Sequence, residues 1–426
     1  MKTITEPSKE IPVRGEADVI VVGGGLAGVS AALAASRCGK KVILIEKSIV
    51  LGGLATLGHV CIYLPIDDGM GNCVFGGQVK ELLHLCAKYG YDNIPDCWKG
   101  GADKVEGTHE RYKTNFNIPA AVYALDEITR DENIDVIFDT SFCAPIMEGN
   151  RCKGIIVENK SGRGAYLADM FIDSTGDADL FARAGAQCEI RKNRLSFWTH
   201  EIDADSCRKA LQTGRMYDAV PLRWFGYIPG KSGTAETVPE FYGTDADEVN
   251  SYIKMSRKLA LDYLKEHQSE DFTQITIPFM PQFRMTRHLV GKTTFAVEPG
   301  VSVESSVGCV IPCTDQPAAV YEFPYEGLID NDITNILAAG RMVSATGKGW
   351  EIMRNIPSCV LTGQAAGTAA ALAISAGKSV QDLNVSALQE KLSAGGVKIH
   401  MADELRNNQN LPPVPKPVES IYNVRK

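Results

Sequence analysis

The stretch that decides the fold is residues 18–46, DVIVVGGGLAGVSAALAASRCGKKVILIE. An apolar run ends at Val22 and leads directly into glycines at positions 23, 25 and 28, after which the sequence becomes rich in alanine. The spacing G-x-G-x-x-G between a strand and a helix is typical of dinucleotide-binding units. In such a turn Gly23 permits the tight bend, Gly25 lets backbone approach a pyrophosphate, and Gly28 lets the helix pack closely on the strand.

The second half of this stretch predicts how phosphates and a ribose are held. A helix beginning at Leu26 and Ala27 would direct its N-terminal amides and the positive end of its dipole at bound phosphates. A second apolar strand then ends at Glu46, eighteen residues after Gly28, with Lys47 beside it. A carboxylate near this spacing accepts hydrogen bonds from an adenosine ribose. The alternative is an ordinary strand-to-helix turn.

Composition narrows the classes of function. The 426 residues, of which 44% are hydrophobic, suit two domains with sizeable cores. The net charge of −8 and the lack of a basic, aromatic-rich run argue against nucleic-acid binding. The first fifteen residues form a polar tail, and no run of about 18 uninterrupted apolar residues follows, so no membrane association is expected.

The cysteines indicate a reducing compartment. Twelve are scattered along the chain without paired spacing. In a long chain without a secretion signal, reduced thiols and a cytoplasmic location are expected. Because Cys and His pairs do not repeat, no zinc, iron–sulfur or other metal site is predicted.

Further glycine-containing segments follow the first turn. The loop after the predicted ribose position is expected to bring bare backbone against the dinucleotide, through Gly53, Leu54, Ala55 and Thr56. The alternative is a simple turn. Hairpin signals near residues 149–150 and 161–162 predict a β-meander. Gly363 and Gly367, four residues apart in a late helix, predict close packing of that helix on the sheet.

The composition also predicts where domains begin and end. We expect an inserted domain over 191–320, because aromatic, basic and proline-containing stretches there replace the glycine-punctuated pattern. The predicted dinucleotide-binding domain comprises residues 1–190 and 321–395 on either side of it, with an exposed excursion at about 91–115. Residues 396–426 are predicted to form a C-terminal extension.

Several blocks together resemble a known group of proteins. They are DVIVVGGGLAG at 18–28, LGGLAT at 51–56, FIDSTGDADL at 171–180, RMTR at 284–287, NILAAGR at 335–341 and GQAAG at 363–367. This series is similar to the FAD-dependent oxidoreductases of the glutathione reductase and fumarate reductase structural class, and to the large uncharacterised FAD-dependent oxidoreductase family in particular. The resemblance implies an α/β fold, with a three-layer Rossmann-like FAD-binding domain (parallel sheet plus β-meander) around an inserted α+β substrate domain. A second G-x-G-x-x-G is absent from the sequence, unlike in disulfide reductases, which carry a separate nicotinamide domain.

The resemblance also assigns FAD contacts. It implies pyrophosphate contacts at the first glycines, a ribose contact at Glu46 and an adenine contact from the strand that carries Cys143. Further implied cofactor residues are Thr175, Gly176, Asp177, Gly340, Arg341, Pro357, Ser358 and Cys359, the last three at a helix N-terminus aimed at the flavin pyrimidine.

The function implied is hydride transfer between a small polar or anionic substrate and flavin N5, followed by electron exchange with an unidentified acceptor. Candidates for polarising the substrate are Arg284, Arg287, His288 and Arg354, although salt bridges across a domain interface would explain the arginines equally well. Because the family does not lead us to expect His59 or Cys61, a covalent flavin link or a redox thiol at this loop is a further hypothesis.

Two alternatives for the whole protein remain open. One is a non-catalytic flavin-fold binding protein, and the other is the flavin subunit of an electron-transfer complex. A homo-oligomer is possible in each case.

Overall fold

The computed structural model describes residues 2–227, 238–298, 300–405 and 424–425. Its helices are α1 (Leu26–Arg37), α2 (Gln78–Ala87), α3 (Ile118–Asp131), α4 (Asp179–Ala184), α5 (Ala204–Thr213), α6 (Ala246–His267), α7 (Gly347–Met353), α8 (Ile356–Ala376) and α9 (Val385–Ala394). Its strands are β1 (Val13–Val22), β2 (Val42–Ile45), β3 (Ile62–Tyr63), β4 (Thr114–Asn115), β5 (Asp135–Ile137), β6 (Ser141–Glu148), β7 (Arg151–Asn159), β8 (Gly162–Asp173), β9 (Cys188–Ile190), β10 (Lys192–Arg194), β11 (Ser196–Asp203), β12 (Leu222–Gly226), β13 (Glu240–Tyr242), β14 (Phe272–Thr276), β15 (Arg287–Leu289), β16 (Ser306–Val310), β17 (Tyr321–Pro324), β18 (Ile336–Ala338) and β19 (Val424–Arg425).

The main sheet joins a parallel half to an antiparallel meander through one long strand. Strands β5, β2, β1 and β8 are parallel neighbours in that order. The first half of β8 pairs antiparallel with β7, whereas Phe171–Asp173 at its end pair parallel with β18. The predicted α/β class, with a parallel sheet and a meander, is therefore confirmed, and the chain returns to the sheet at residue 336.

Helices α1 and α8 pack against each other on one face of the parallel strands. A Cβ added at Gly363 would lie 2.2 Å from the carbonyl oxygen of Ala27, and one at Gly367 would lie 2.1 Å from that of Ala31. Our prediction that these glycines pack on the sheet is therefore wrong, because their bare faces contact the backbone of α1. By length and composition α8 could cross a membrane, but 72% of its most apolar window is buried inside the protein.

Two other local predictions need correction. The strand predicted from Val136 to Cys143 is broken by Asp139, whose φ of 49° is incompatible with a continuous strand, so β5 ends before it and β6 begins after it. The predicted exposed excursion at 91–115 is anchored by Trp98 and Tyr112, which are fully buried and stack 4.9 Å apart.

The inserted unit has a small hydrophobic core of its own, made of Leu195, Phe197, Phe241, Tyr252, Ala260 and Phe283. Its sheet has the order β14, β11, β12 and β19. Leu289, Phe295 and Val307 pack in the main core instead. The packing therefore brings the chain back to the main core soon after residue 283, earlier than the predicted boundary at 320.

The start of the predicted C-terminal extension also belongs to the main core. Val397, Ile399 and Met401 are buried, and the backbone amide of Cys309 donates to the carbonyl of Lys398 over 2.9 Å. The proline-rich part of the predicted extension, within 406–423, lies outside the described residues.

Candidate active site

One cavity of about 1020 Å³ lies where the main sheet meets the inserted unit. The turn after β1 lines one side of it, together with the loop at 52–55, the turn after β8 and the turn after β18. Segments 191–198 and 280–285 of the inserted unit line the other side. Residues from all three predicted parts of the chain, 1–190, 191–320 and 321–395, therefore line this cavity.

The glycines of the first turn have separate roles. A Cβ added at Gly25 would meet no protein atom within 4 Å, so this backbone faces open cavity. A Cβ at Gly28 would lie 1.9 Å from the carbonyl oxygen of Gly23, which makes Gly28 a packing residue. Gly52 donates its amide hydrogen to the carbonyl of Gly24 over 2.8 Å, so the second glycine loop packs directly on the first.

Glu46 lies where the second strand ends, as predicted, and its carboxylate is almost fully buried. Its two oxygens accept backbone amide hydrogens from Gly24 and Ser48, each over 2.7 Å. The side chain also lines the cavity. Because each carboxylate oxygen has two lone pairs, both oxygens can still accept a ribose hydroxyl.

The N-terminus of α8 reaches the cavity through Asn355, Ile356 and Cys359. The Asn355 side chain does not cap the helix, so the first amides of α8 keep their hydrogen-bonding capacity. The Ser358 hydroxyl is fully buried and has no hydrogen-bond partner among the described residues. Such a helix end attracts negative charge.

Most of the predicted cofactor residues come together in this cavity. Those lining it are Gly23, Gly25, Leu26, Ala27, Glu46, Lys47, Gly53, Leu54, Ala55, Thr175, Gly176, Asp177, Gly340, Arg341 and Cys359. Those that do not line it are Gly28, Thr56, Cys143, Pro357 and Ser358. Strand β6, which carries Cys143, meets the cavity through Ser141 and Phe142, and Cys143 itself does not line it.

Of the predicted catalytic candidates, Arg284 and Arg354 line the cavity, whereas Arg287, His288 and Cys61 do not. The guanidinium of Arg354 lies 2.6 Å from the carboxylate of Glu351, another lining residue. Arg287 lies outside the lining and donates to the Asp179 carboxylate over 2.6 Å. The structure therefore favours the ion-pair reading for Arg287.

His288 and Cys61 also lie outside the cavity lining. The His288 ring is buried and packs edge-on against Trp350 with centroids 4.3 Å apart. Burial raises the pKa of the Cys61 thiol to about 12, so the thiol stays protonated near neutral pH. A protonated thiol is a poor nucleophile, and the redox-thiol hypothesis gains no support from this environment.

Cys61 belongs to a buried cluster with two histidines behind the cavity wall. Its sulfur lies 3.6 Å from Nε2 of His200, and the rings of His59 and His200 are 5.2 Å apart. Burial lowers the pKa of His59 to about 4, and burial together with His59 lowers that of His200 to about 3. Among the described residues neither Nδ1 atom has a hydrogen-bond partner. The His59 ring does not line the cavity, so the covalent-flavin hypothesis also lacks support.

The cavity is more basic than the chain as a whole. Its basic lining residues are Lys47, Arg183, Arg191, Lys192, Arg194, Arg284, Arg341 and Arg354. Its acidic lining residues are Glu46, Asp177, Asp179, Glu240 and Glu351. This gives eight basic against five acidic side chains, whereas the whole sequence has 44 basic and 52 acidic residues. The lining therefore favours anionic ligands.

Sequence reasoning missed three aromatic residues that line the cavity, Trp198, Trp224 and Tyr227. Strand alternation over Ser196–Asp203 could have placed Ser196, Trp198 and His200 on one face. Nothing in the local pattern shows that this face is directed at the cavity.

Among the described residues, no group of three or more His, Cys, Asp or Glu side chains could hold a metal ion.

Similarity to known proteins agrees with this geometry. The sequence model of a family described as FAD dependent oxidoreductase matches residues 18–197 and 302–392, together more than half of the chain. The chain belongs to the FAD-dependent oxidoreductase family. Members of this family are flavoenzymes, and FAD is the cofactor of this one.

Curated relatives match a part of the chain. A protein named fumarate reductase (cytochrome) from Shewanella frigidimarina is 62% identical over 240 residues, which cover 53% of this chain and 36% of that protein. L-aspartate oxidase from Mycobacterium leprae is 30% identical over 190 residues, covering 38% of this chain and 35% of the relative. The chain spans about a third of the length of the curated relatives it matches.

Solved structures resemble the chain more distantly. p-Nitrophenol 4-monooxygenase from Pseudomonas putida is 12% identical with a TM-score of 0.48, over 89% of this chain and 88% of that one. A flavoprotein/dehydrogenase from Cytophaga hutchinsonii is 13% identical with a TM-score of 0.43, over 88% and 83%.

The residues present fit FAD on geometric grounds. Gly25 leaves open space where a side chain would stand, as close approach of a pyrophosphate requires. Glu46 ends the second strand within the same cavity, and the N-terminus of α8 opens into it farther along the chain. The backbone at Gly25 is thus available to the phosphates, the carboxylate of Glu46 to a ribose, and the N-terminus of α8 to the flavin.

Proposed function

We propose that the protein transfers a hydride between a small anionic substrate and FAD, with the substrate held against the inserted unit. The observation that carries this proposal is the shared cavity, which contains the glycine turn together with Arg284 and Arg354. A site that joins cofactor backbone to separate basic side chains can orient a second, anionic molecule. When bound, FAD supplies the hydride acceptor or donor.

Arg354 is our first candidate for the substrate carboxylate. It lines the cavity beside the N-terminus of α8, and its present partner Glu351 is about 41% exposed at the side chain. A half-exposed ion pair is weak, so a substrate carboxylate can replace Glu351 at low cost. The planar guanidinium then holds that carboxylate through two parallel hydrogen bonds, which fixes its orientation.

The test is anaerobic reduction of the holoenzyme by a panel of small carboxylates, each paired with its neutral amide. We expect the carboxylates to reduce the flavin faster than their amides. Arg354→Gln should lower the rate constant by about tenfold or more without changing the FAD content, and Arg354→Lys should also fail if two parallel bonds are used.

Arg287→Gln is the matched control, since Arg287 does not line the cavity and its charge is already paired with Asp179. This change should lower stability and leave substrate-dependent reduction nearly intact. Equal reduction by carboxylates and amides would contradict the anionic-substrate proposal. A slow Arg287→Gln enzyme beside a normal Arg354→Gln enzyme would reverse the two roles.

A second candidate concerns the electron acceptor. One relative is named fumarate reductase (cytochrome), and by that likeness we propose that this chain exchanges electrons with a protein-bound redox group, as the flavin subunit of a larger system. Mixing the reduced holoenzyme with cytochrome c or with dioxygen tests this idea. Faster reoxidation by the cytochrome supports the proposal, whereas faster reoxidation by dioxygen contradicts it.

A further inference from the structure

The inserted unit presents two facing tryptophans to the cavity. Trp198 in β11 and Trp224 in β12 are directly opposite each other in the antiparallel pair. Their rings meet edge to face with centroids 5.1 Å apart, and both line the cavity. Cross-strand tryptophans at this spacing form a rigid aromatic surface.

The polar edges of both indoles are already engaged by protein. The Trp224 indole N–H donates to the Ser196 hydroxyl over 2.9 Å, and that of Trp198 donates to the carbonyl of His59. With these donors engaged, the ring surfaces can offer a ligand only apolar and π contacts. The tryptophans therefore recognise a flat apolar group better than a polar one.

A cation lies beside this surface. The guanidinium carbon of Arg284 lies 4.8 Å from the centroid of the Trp198 ring, and Arg284 lines the cavity too. The next pair on the same face is Ser196 opposite Gly226. A Cβ at Gly226 would lie 2.2 Å from the carbonyl oxygen of Leu195, so no larger residue can fill this position.

We propose that these residues select an aromatic carboxylate, whose ring lies on Trp224 and whose anionic group faces Arg284. This inference rests on the proposed function and specifies its substrate class. A planar ring gains stacking energy on an aromatic side chain that a puckered aliphatic ring does not. The stacked guanidinium attracts the carboxylate and stays in position because Trp198 supports it.

Calorimetric titration of the FAD-loaded protein tests the inference with three probes: benzoate, cyclohexanecarboxylate and benzyl alcohol. Benzoate and cyclohexanecarboxylate share the carboxylate and differ in planarity, whereas benzyl alcohol keeps the ring without the charge. We expect benzoate to bind about fivefold or more tighter than either of the others.

Variants assign the effect to the aromatic surface. Trp224→Leu should weaken benzoate binding by about fivefold and leave cyclohexanecarboxylate binding nearly unchanged, while Trp224→Phe should restore most of the difference. Phe279→Leu is the matched control, because Phe279 belongs to the same unit, is 70% exposed and does not line this cavity. FAD content is measured for every variant, so a loss of cofactor is seen directly.

Three results would overturn the inference. They are benzoate and cyclohexanecarboxylate affinities within about twofold of each other, an unchanged benzoate affinity in Trp224→Leu, and loss of FAD from Trp224→Leu, which would assign the ring to the cofactor. If aliphatic carboxylates bind more tightly than benzoate and those with a transferable hydride reduce the flavin, the inference fails and the proposed function stands. If no carboxylate of either kind binds, the proposed function fails with it.

Discussion

A guanidinium N–H of Arg341 donates to the carboxylate of Asp177 over 2.8 Å. The same guanidinium donates to the carbonyl of Gly176 over 2.7 Å and to the carbonyl of Phe283. Arg341 follows the last strand of the main sheet, Asp177 follows β8, and Phe283 belongs to the core of the inserted unit. The Arg341 side chain thus links three segments that are distant in sequence. We call this group of hydrogen bonds, from Arg341 to Gly176, Asp177 and Phe283, the clasp.

The clasp predicts a stability effect. Asp177→Ala should lower the free energy of unfolding by about 1.5–3 kcal/mol, because it removes a partly buried, charge-assisted hydrogen bond. Urea denaturation in saturating FAD measures the effect. Arg208→Gln is the control: Arg208 and its partner Asp205 are 62% and 84% exposed at the side chain, so this change should cost less than about 1 kcal/mol. Equal costs for the two variants would show that the clasp is not stabilising.

Gly25 and Gly28 have different roles in the first turn, so we expect substitution of one to abolish FAD binding and substitution of the other to destabilise the fold. Gly25→Val should give a folded protein without FAD, because its Cβ would stand in the open cavity, where no protein atom lies within 4 Å, and the branched side chain would occupy the space of the pyrophosphate. Gly28→Ala should destabilise the fold itself, because its Cβ would lie 1.9 Å from a backbone oxygen. Flavin content and circular dichroism separate the two outcomes. Full flavin occupancy in Gly25→Val would refute the role of this turn.

The contact between α1 and α8 predicts the effect of a single methyl group. Gly363→Ala should cost about 1–3 kcal/mol, because the new Cβ would overlap the carbonyl of Ala27 and push the helices apart. Gly100→Ala adds the same methyl group where no atom lies within 4 Å and should be nearly neutral. Thermal unfolding of the two variants is the measurement. A neutral Gly363→Ala would mean that the helices separate without cost.

The buried histidines predict loss of stability in acid. Burial holds the pKa of His59 at about 4 and that of His200 at about 3, below the value of about 6.5 in an unfolded chain. As the pH falls below about 6.5, the unfolded chain binds protons that the folded chain does not, so unfolding becomes easier until the folded pKa values are reached. Above about pH 6.5 the two histidines have no such effect.

Removing one histidine isolates this contribution. His200→Phe should reduce the slope of the unfolding free energy against pH between about pH 6.5 and 5, by up to the slope that the uptake of one proton on unfolding contributes. Urea denaturation at several pH values gives the slopes. Identical slopes in the parent and His200→Phe would show that His200 is not held neutral.

The cofactor half of the site could be predicted from sequence because its rules are local. The turn at Gly23 and Gly25, the strand ending at Glu46 and the return at Gly340 depend on short-range patterns of strand, glycine and helix. Each of these residues lines the cavity, and their contacts with FAD stay a prediction.

The substrate half could not be predicted, because it depends on which face of a strand meets the cavity. Arg287 and Arg354 look alike in sequence, yet Arg287 lies outside the cavity lining and pairs with Asp179, whereas Arg354 lines the cavity. Trp198 and Trp224 are 26 residues apart, and only strand pairing makes them neighbours. Tertiary pairing of this kind leaves no local signal.

The central claim is that this cavity holds FAD by noncovalent contacts with the glycine turn, Glu46 and the end of α8. The most direct measurement is the visible absorption spectrum of the purified protein before and after acid precipitation. We predict a flavin spectrum in the native protein and one equivalent of FAD in the supernatant after precipitation. Colour that stays with the pellet, or a colourless protein that added FAD cannot reconstitute, would contradict the claim.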